Sequence, residues 1–133
     1  MPDVNLSLKV NIVDGPNWAI NHKLSVEAYD VIDLVIPPGT VDKVVELQPA
    51  AATRINLIVI QSSLYGSEIQ FKTRSGSTDS AAVSLLGPQI YGDGVATLFA
   101  QPPNSLKLSN SHPAGDASKA ARIQILVGRD ATP

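Results

Sequence analysis

Val4-Asn5-Leu6-Ser7-Leu8-Lys9-Val10-Asn11-Ile12 decides the fold class: every even position is apolar and every odd one polar. Successive side chains of a strand point to opposite faces, so a strict period of two describes a strand with one face buried. The run stops at Asp14-Gly15-Pro16-Asn17, where proline fixes φ and glycine supplies conformational freedom. The same grammar repeats down the chain. Lys23–Ala28 alternates through Leu24 and Val26, and Val31–Ile36 is closed by Pro37-Pro38-Gly39. Val41–Leu47 precedes Pro49 and an alanine-rich link, Ala50–Ala52, too short to hold a helix.

Arg54–Gln61 reads as the central strand, with Ile55, Leu57 and Val59 on one face and Ile58 and Ile60 on the other. Apolar side chains on both faces predict burial on both sides. Ser67–Thr73, alternating through Ile69 and Phe71, is followed by Ala81–Leu86, Ile90-Tyr91, Val95–Phe99, Leu106–Leu108 and Ala121–Val127, the last alternating through Ile123, Ile125 and Val127. Turn clusters such as Arg74-Ser75-Gly76-Ser77 and Gly92-Asp93-Gly94 separate them. About ten short strands with little or no helix predict an all-β protein, a single antiparallel β-sandwich of jelly-roll-like topology over residues 1–133. An N-terminal arm (residues 1–6) and a C-terminal tail (residues 128–133) are expected to extend from it.

Composition narrows the chemistry. The 133 residues include no cysteine, which excludes thiolate metal sites and cysteine nucleophiles, and only two histidines, which excludes a three-histidine metal site. Charged residues are 17% of the chain and the net charge is −2, with no basic run to follow a phosphate backbone. Nucleic acid is therefore not an expected partner. The longest apolar stretch, Ile55–Ile60, is far too short to span a bilayer as a helix, and no membrane partner is expected. The Met1–Asp3 start carries no basic, apolar leader, so synthesis in a host cytoplasm is the expectation.

The candidate sites each have a plain structural alternative. Asp30 and Asp33 are a carboxylate pair, but an odd spacing on a strand puts them on opposite faces; Asp30 is assigned to a turn and Asp33 to an exposed edge. Gly92-Asp93-Gly94 lacks the neighbouring acidic periodicity of a calcium loop. His22 and His112 have no partner at metal-ligand spacing, and no Gly-x-Ser-x-Gly elbow is present. The expectation is a protein that is not an enzyme, with no catalytic, cofactor-binding or metal residues. Trp18, Tyr65 and Tyr91 could instead form an aromatic platform for carbohydrate.

The segment Leu106-Lys107-Leu108-Ser109-Asn110, followed by a polar loop and Ala121-Arg122-Ile123-Gln124-Ile125-Leu126-Val127-Gly128-Arg129-Asp130-Ala131, resembles the closing hairpin of small β-sandwich virion proteins of tailed bacteriophages. The resemblance covers about a quarter of the chain. It implies a capsid decoration (cement) protein, located in the virion, with no catalytic residues. The partners it implies are further copies of the chain, with a homotrimer suited to lattice three-folds, and the major capsid or another virion protein. A tail, neck or fibre component and a carbohydrate-binding module are the alternatives. The regions expected to carry the partner interface are the arm Met1–Leu6, the Asp14–Ile20 loop with Trp18 and the tail Gly128–Pro133. The side chains expected there are Val4, Leu6, Trp18, Ile20, Tyr65, Tyr91 and Arg129, with Trp18 as the main anchor because large aromatics dominate interface energetics.

Overall fold

The computed structural model describes residues 3–26, 28–47, 55–75, 77–92 and 105–129. Eleven strands account for most of them: β1 (Asp3–Asn11), β2 (Asn17–Ser25), β3 (Ala28–Ile36), β4 (Lys43–Glu46), β5 (Ile55–Ser62), β6 (Gly66–Ser75), β7 (Thr78–Asp79), β8 (Val83–Leu85), β9 (Gln89–Tyr91), β10 (Ser105–Asn110) and β11 (Ala121–Arg129). Among the described residues the helical content is one 3-10 turn, Ala117–Lys119, capped by the Asp116 side chain. The expected turn at Gly92-Asp93-Gly94, the Val95–Phe99 strand, the Ala50–Ala52 link and the end of the tail lie wholly or partly outside the described residues.

Two antiparallel sheets face each other. One has the order β3-β11-β5-β9 and the other β4-β10-β6, with β7 and β8 both pairing with β6. The pairings nest: β3 with β11, β4 with β10, β5 with β9, β6 with β8. A long hairpin with its tip between β6 and β8 has been wound so that its strands alternate between two sheets. That is the jelly-roll order, and the expected all-β sandwich is the observed fold. β11–β5 and β10–β6 contacts close each sheet across the winding.

The core lies between the sheets. Ile123, Ile125 and Val127 on β11, Ile58 and Ile60 on β5, and Ile69 and Phe71 on β6 are all essentially inaccessible. Burying each such side chain stabilises by about 1.5–3 kcal/mol, which is why the alternating runs settle with this face inward. β5 is buried on both sides as its sequence predicts, since Leu57 and Ile58 are both covered. The expected grouping of Ile55 with Leu57 needs correction. A β-bulge between Gly128 and Arg129 pairs Arg129 with Ile55 and skips Asn56, so Ile55 turns inward to join Ile58 in the core.

Two further assignments are corrected. Asp30 is in the body of β3, opposite Val127, because β3 begins at Ala28 and β2 already ends at Ser25. The Leu106–Asn110 and Ala121–Arg129 segments do not pair with each other. They lie in opposite sheets, and the polar link between them crosses from one sheet to the other.

Asn110 fastens that crossing. Its fully buried side chain donates from Nδ2 to the carbonyls of Ile36 (3.1 Å) and Lys119 (2.8 Å), and its Oδ1 accepts from the His112 amide (3.2 Å). Its backbone exchanges hydrogen bonds with the turn after β3, through Thr40 O and Gly39 N, both at 2.9 Å. One residue of β10 thereby holds the end of β3 and the approach to β11. Asn110→Ala strands two carbonyls at the sheet junction and is expected to lower unfolding free energy by about 2–3 kcal/mol, measurable by urea denaturation.

A second fixed point lies outside the sandwich. A Cβ placed on Gly128 would come 2.9 Å from Val26 Cγ1 and 3.3 Å from Leu57 Cβ, so Val26 is seated on the bare backbone of β11. Gly128→Ala is expected to destabilise the fold by about 1–3 kcal/mol. Adding Val26→Ala should recover part of that loss, and a double-mutant cycle with no coupling would show that the seat is not tight.

Candidate interaction surface

β1 and β2 form a two-stranded ribbon that joins neither sheet. Its register places Val4 opposite Leu24, Leu6 opposite His22, Leu8 opposite Ile20 and Val10 opposite Trp18. The intervening pairs are Asn5 with Lys23, Ser7 with Asn21 and Lys9 with Ala19. Directly opposed residues share a face, so one side of the ribbon is apolar apart from His22 and the other is polar. The polar side is knitted by Ser7 Oγ donating to Asn21 Oδ1 (3.1 Å) and by a Lys23–Asp3 ion pair (3.2 Å).

The turn at the far end is built by the sequence expected of it. Gly15 N donates to Ile12 O (2.9 Å), and Asp14 takes a positive φ of 60°, a left-handed conformation that aspartate tolerates better than most residues. The expected loop at Asp14–Ile20 is shorter than supposed. β2 starts at Asn17, so Trp18 and Ile20 are strand residues. The period of two continues through Trp18, Ile20 and Leu24, and is masked in the sequence only by His22 in an apolar slot.

The apolar side of the ribbon is uncovered along most of its length. Its root is buried, with Leu24 at 2% and Val26 at 0% exposure, whereas Trp18 is 60% exposed and Ile20 47%. Leu8, Val10 and Ile12 are exposed beside them, and Val13 stands almost free at the tip. An isolated two-stranded hairpin is at best marginally stable in water, and this one turns its apolar side outward.

The outward face of the β3-β11-β5-β9 sheet is also apolar. Tyr29, Val31 and Val35 of β3 and Ile90 of β9 are exposed on it, and Val59 and Leu126 are half-buried between them. Val31, Val59, Leu126, Gln61 and Gln124 line a shallow depression at its centre. Polar groups on this face are matched internally. Gln61 donates to Gln124 (2.8 Å), and Arg122 grips Asp33 through Nε (3.0 Å) and Nη2 (2.5 Å). The Arg122 guanidinium holds the Asp33 carboxyl below its ordinary range, and Asp33 in turn raises the Arg122 pKa. The opposite sheet is different in kind: its outer face carries Lys72, Arg74 and Lys107, with Asp79 bound to Lys107 at 2.7 Å. That Lys107 contact lowers the Asp79 pKa.

Of the side chains expected at an interface, the fold brings together Val4, Leu6, Trp18 and Ile20 on one ribbon face. Tyr65, Tyr91 and Arg129 lie elsewhere. Tyr65 packs against the core and its hydroxyl accepts from the Ser62 amide (3.0 Å). Tyr91 also packs there, donates to Gln89 Oε1 (3.0 Å), and has its phenol pKa pushed up by burial. Arg129 pairs with Asp30 and donates to Leu47 O (3.0 Å), which fixes it to the sandwich. The three rings considered as a sugar platform thus sit on three separate elements. Leu8, Val10, Val31 and Ile90 were missed as surface residues; for Leu8 and Val10 the period of two was the available signal, though it does not say which faces stay open.

Among the described residues, no group of three or more His, Asp or Glu is placed to hold a metal ion. No helix among them is long and apolar enough to cross a membrane. Comparison with protein-family models, with curated proteins and with solved structures finds no match.

The carboxylates give the fold a defined acid limit. Asp33, Asp79 and Asp116 all have lowered pKa values, through Arg122, Lys107 and Ser118 respectively. A carboxylate whose folded pKa lies below its unfolded one contributes stability above the unfolded value, and that contribution disappears as pH falls through the folded one. The melting temperature should therefore be flat from neutrality to about pH 5 and fall below about pH 4. Asp33→Asn should make that fall shallower in a pH series of thermal melts.

Proposed function

We propose that this chain is a structural component of a bacteriophage virion, of the capsid decoration (cement) kind, which stabilises the particle by binding neighbouring coat proteins. The observation that carries the reading is the β1–β2 ribbon, whose apolar side is closed at its root and open beyond it. A protein that keeps Leu8, Ile20 and Trp18 in water retains an aggregation hazard unless a partner covers them. Two further features support the reading. The jelly-roll architecture is used by viral capsid domains, which is a fold-level analogy and not a site-level one. The sequences of the two C-terminal strands also resemble those of small virion proteins, although here the two do not pair with each other.

The mechanism is burial. Trp18 near the far end of the ribbon offers a large ring to a pocket on the coat protein, and Leu8 and Ile20 extend the contact toward the sandwich. The polar side of the ribbon remains hydrated at the rim, the arrangement common to specific interfaces. A homotrimer at lattice three-folds is the assembly we favour, since closed symmetry is usual for homo-oligomers.

The test is co-sedimentation with purified capsids that lack this protein. Wild-type chain should pellet with the capsids, and Trp18→Ala should weaken binding at least tenfold, in line with the roughly 2 kcal/mol or more that hot-spot aromatics contribute. Failure of the wild-type chain to pellet would remove the decoration role. Glycan-array binding that vanished in Trp18→Ala would replace it with carbohydrate recognition.

A further inference from the structure

The ribbon and the β3-β11-β5-β9 sheet touch at one end and part toward the other. Val26, the last of the ribbon's apolar series, rests on Gly128 and Leu57 of the sheet's outer face. One step along, Asp3, Val4 and Asn5 of the ribbon and Tyr29 and Leu126 of the sheet line the two walls of a cleft. Further on both walls are open, with Leu8 and Ile20 exposed on the ribbon and Val31 and Val35 exposed on the sheet. The ribbon's apolar side thus meets the sheet's outer face in a wedge that narrows to Val26.

We infer that the ribbon is a strap that pivots at Val26 and shuts on the outer face of its own sheet, row upon row.

Register supports the match. Ribbon and sheet share the strand repeat, about 6.7 Å for every two residues, so an alignment set at the root is kept along the length. The outward rows of the sheet, counted from the root, are Tyr29-Gly128-Leu57, Val31-Leu126-Val59, Asp33-Gln124-Gln61 and Val35-Arg122. The corresponding steps of the ribbon are Val26, Val4-Leu24, Leu6-His22 and Leu8-Ile20. Val26 already lies on the first row, and Val4 already borders Leu126 of the second. At the third step His22, the one polar residue in the ribbon's apolar series, falls on the one row that is polar throughout. At the fourth, Leu8 and Ile20 fall on Val35 and the aliphatic stem of Arg122, whose guanidinium is already committed to Asp33. The polar break in the ribbon is therefore answered at the same step by a polar break in this sheet.

Tethering favours the chain's own ribbon over that of a second copy. Closure about Val26 is intramolecular and loses none of the translational freedom that association of separate molecules costs. Shut, the strap covers Leu6, Leu8 and Ile20, but Val10 and Trp18 run one step past Arg122, the first outward residue of β11. Trp18 thus stays available at the tip. Leu8 and Ile20 have to be lifted off the sheet before they meet a coat protein, and that release alone rests on the decoration role.

The chain contains no cysteine, so paired thiols report the closure directly. In Ile20→Cys/Val35→Cys the two positions meet when the strap is shut. In Ile20→Cys/Tyr29→Cys they are three rows apart, about 20 Å at any angle of the pivot. Each double variant is treated with a short bis-maleimide at low micromolar concentration and followed by intact mass. The first pair should link within one chain about tenfold faster than the second, because tethering raises effective concentration only where geometry lets the pair meet. Adding Leu8→Lys to the first pair should lower its linking rate severalfold while the circular dichroism spectrum is retained. Equal rates for the two pairs, no link in the first, or a Leu8→Lys chain that links as fast as its parent each overturns the closure. So does a product mainly at twice the chain mass, which would seat the ribbon on a second copy. The capsid experiment reads separately: a chain that links in register and does not pellet with capsids overturns only the decoration role.

Discussion

The junction at Asn110 is the constraint on which the rest of the molecule depends. Two sheets held only by apolar contact could slide past one another, because dispersion and hydrophobic burial are non-directional. Asn110 removes that freedom. Its carboxamide uses both donors and its acceptor on three different backbone groups, and two of those groups belong to the segments that lead into and out of the other sheet. A buried amide so fully satisfied specifies one relative placement of the sheets. With β3 and β11 placed, the outer face that they build with β5 is also placed, and so is the root of the ribbon through Gly128 and Val26.

The two sides of the sandwich have unlike surfaces for a reason that can be traced along the strands. On β6 and β10 the outward positions are Lys72, Arg74, Lys107 and Ser109, which are at home in water. On β3, β5 and β11 the outward positions include Val31, Val35, Val59 and Leu126. An antiparallel sheet needs only one apolar face to pack into a sandwich. The second apolar face of the β3-β11-β5-β9 sheet is covered in part by the chain itself, where Val26 rests on Gly128 and Leu57, and is open beyond that point.

Much of this was legible in the sequence. Alternation located most of the strands and assigned the core faces of β11 and β6, because the period of two follows from backbone geometry and survives any tertiary context. It failed where local geometry departs from the regular pleat. Ile55 was put on the wrong face because a bulge consumes one residue without leaving a mark in the pattern. Trp18 was placed in a loop because His22 interrupts the apolar series and the turn cluster seemed to extend to it. The ribbon was missed as an independent element for a deeper reason: alternation tells which side of a strand is apolar, but not whether the same chain covers it. Asn110 was visible only as the last letter of a strand motif, since one of the partners that make it a buried polar hub, Ile36, is 74 residues away.

The nested winding sets an order of events in time. β1 and β2 are joined by a short turn, and a hairpin of that kind forms in about 1–10 μs. The outer sheet face cannot exist until β11, the last of the described strands, has been laid between β3 and β5. Pairings of such long sequence separation close in roughly milliseconds to seconds. The hairpin of β1 and β2 therefore forms and reopens many times before its root has anything to rest on. It is held only once Val26 meets Gly128 on the arriving β11, so the fastest element to form is among the last to become fixed.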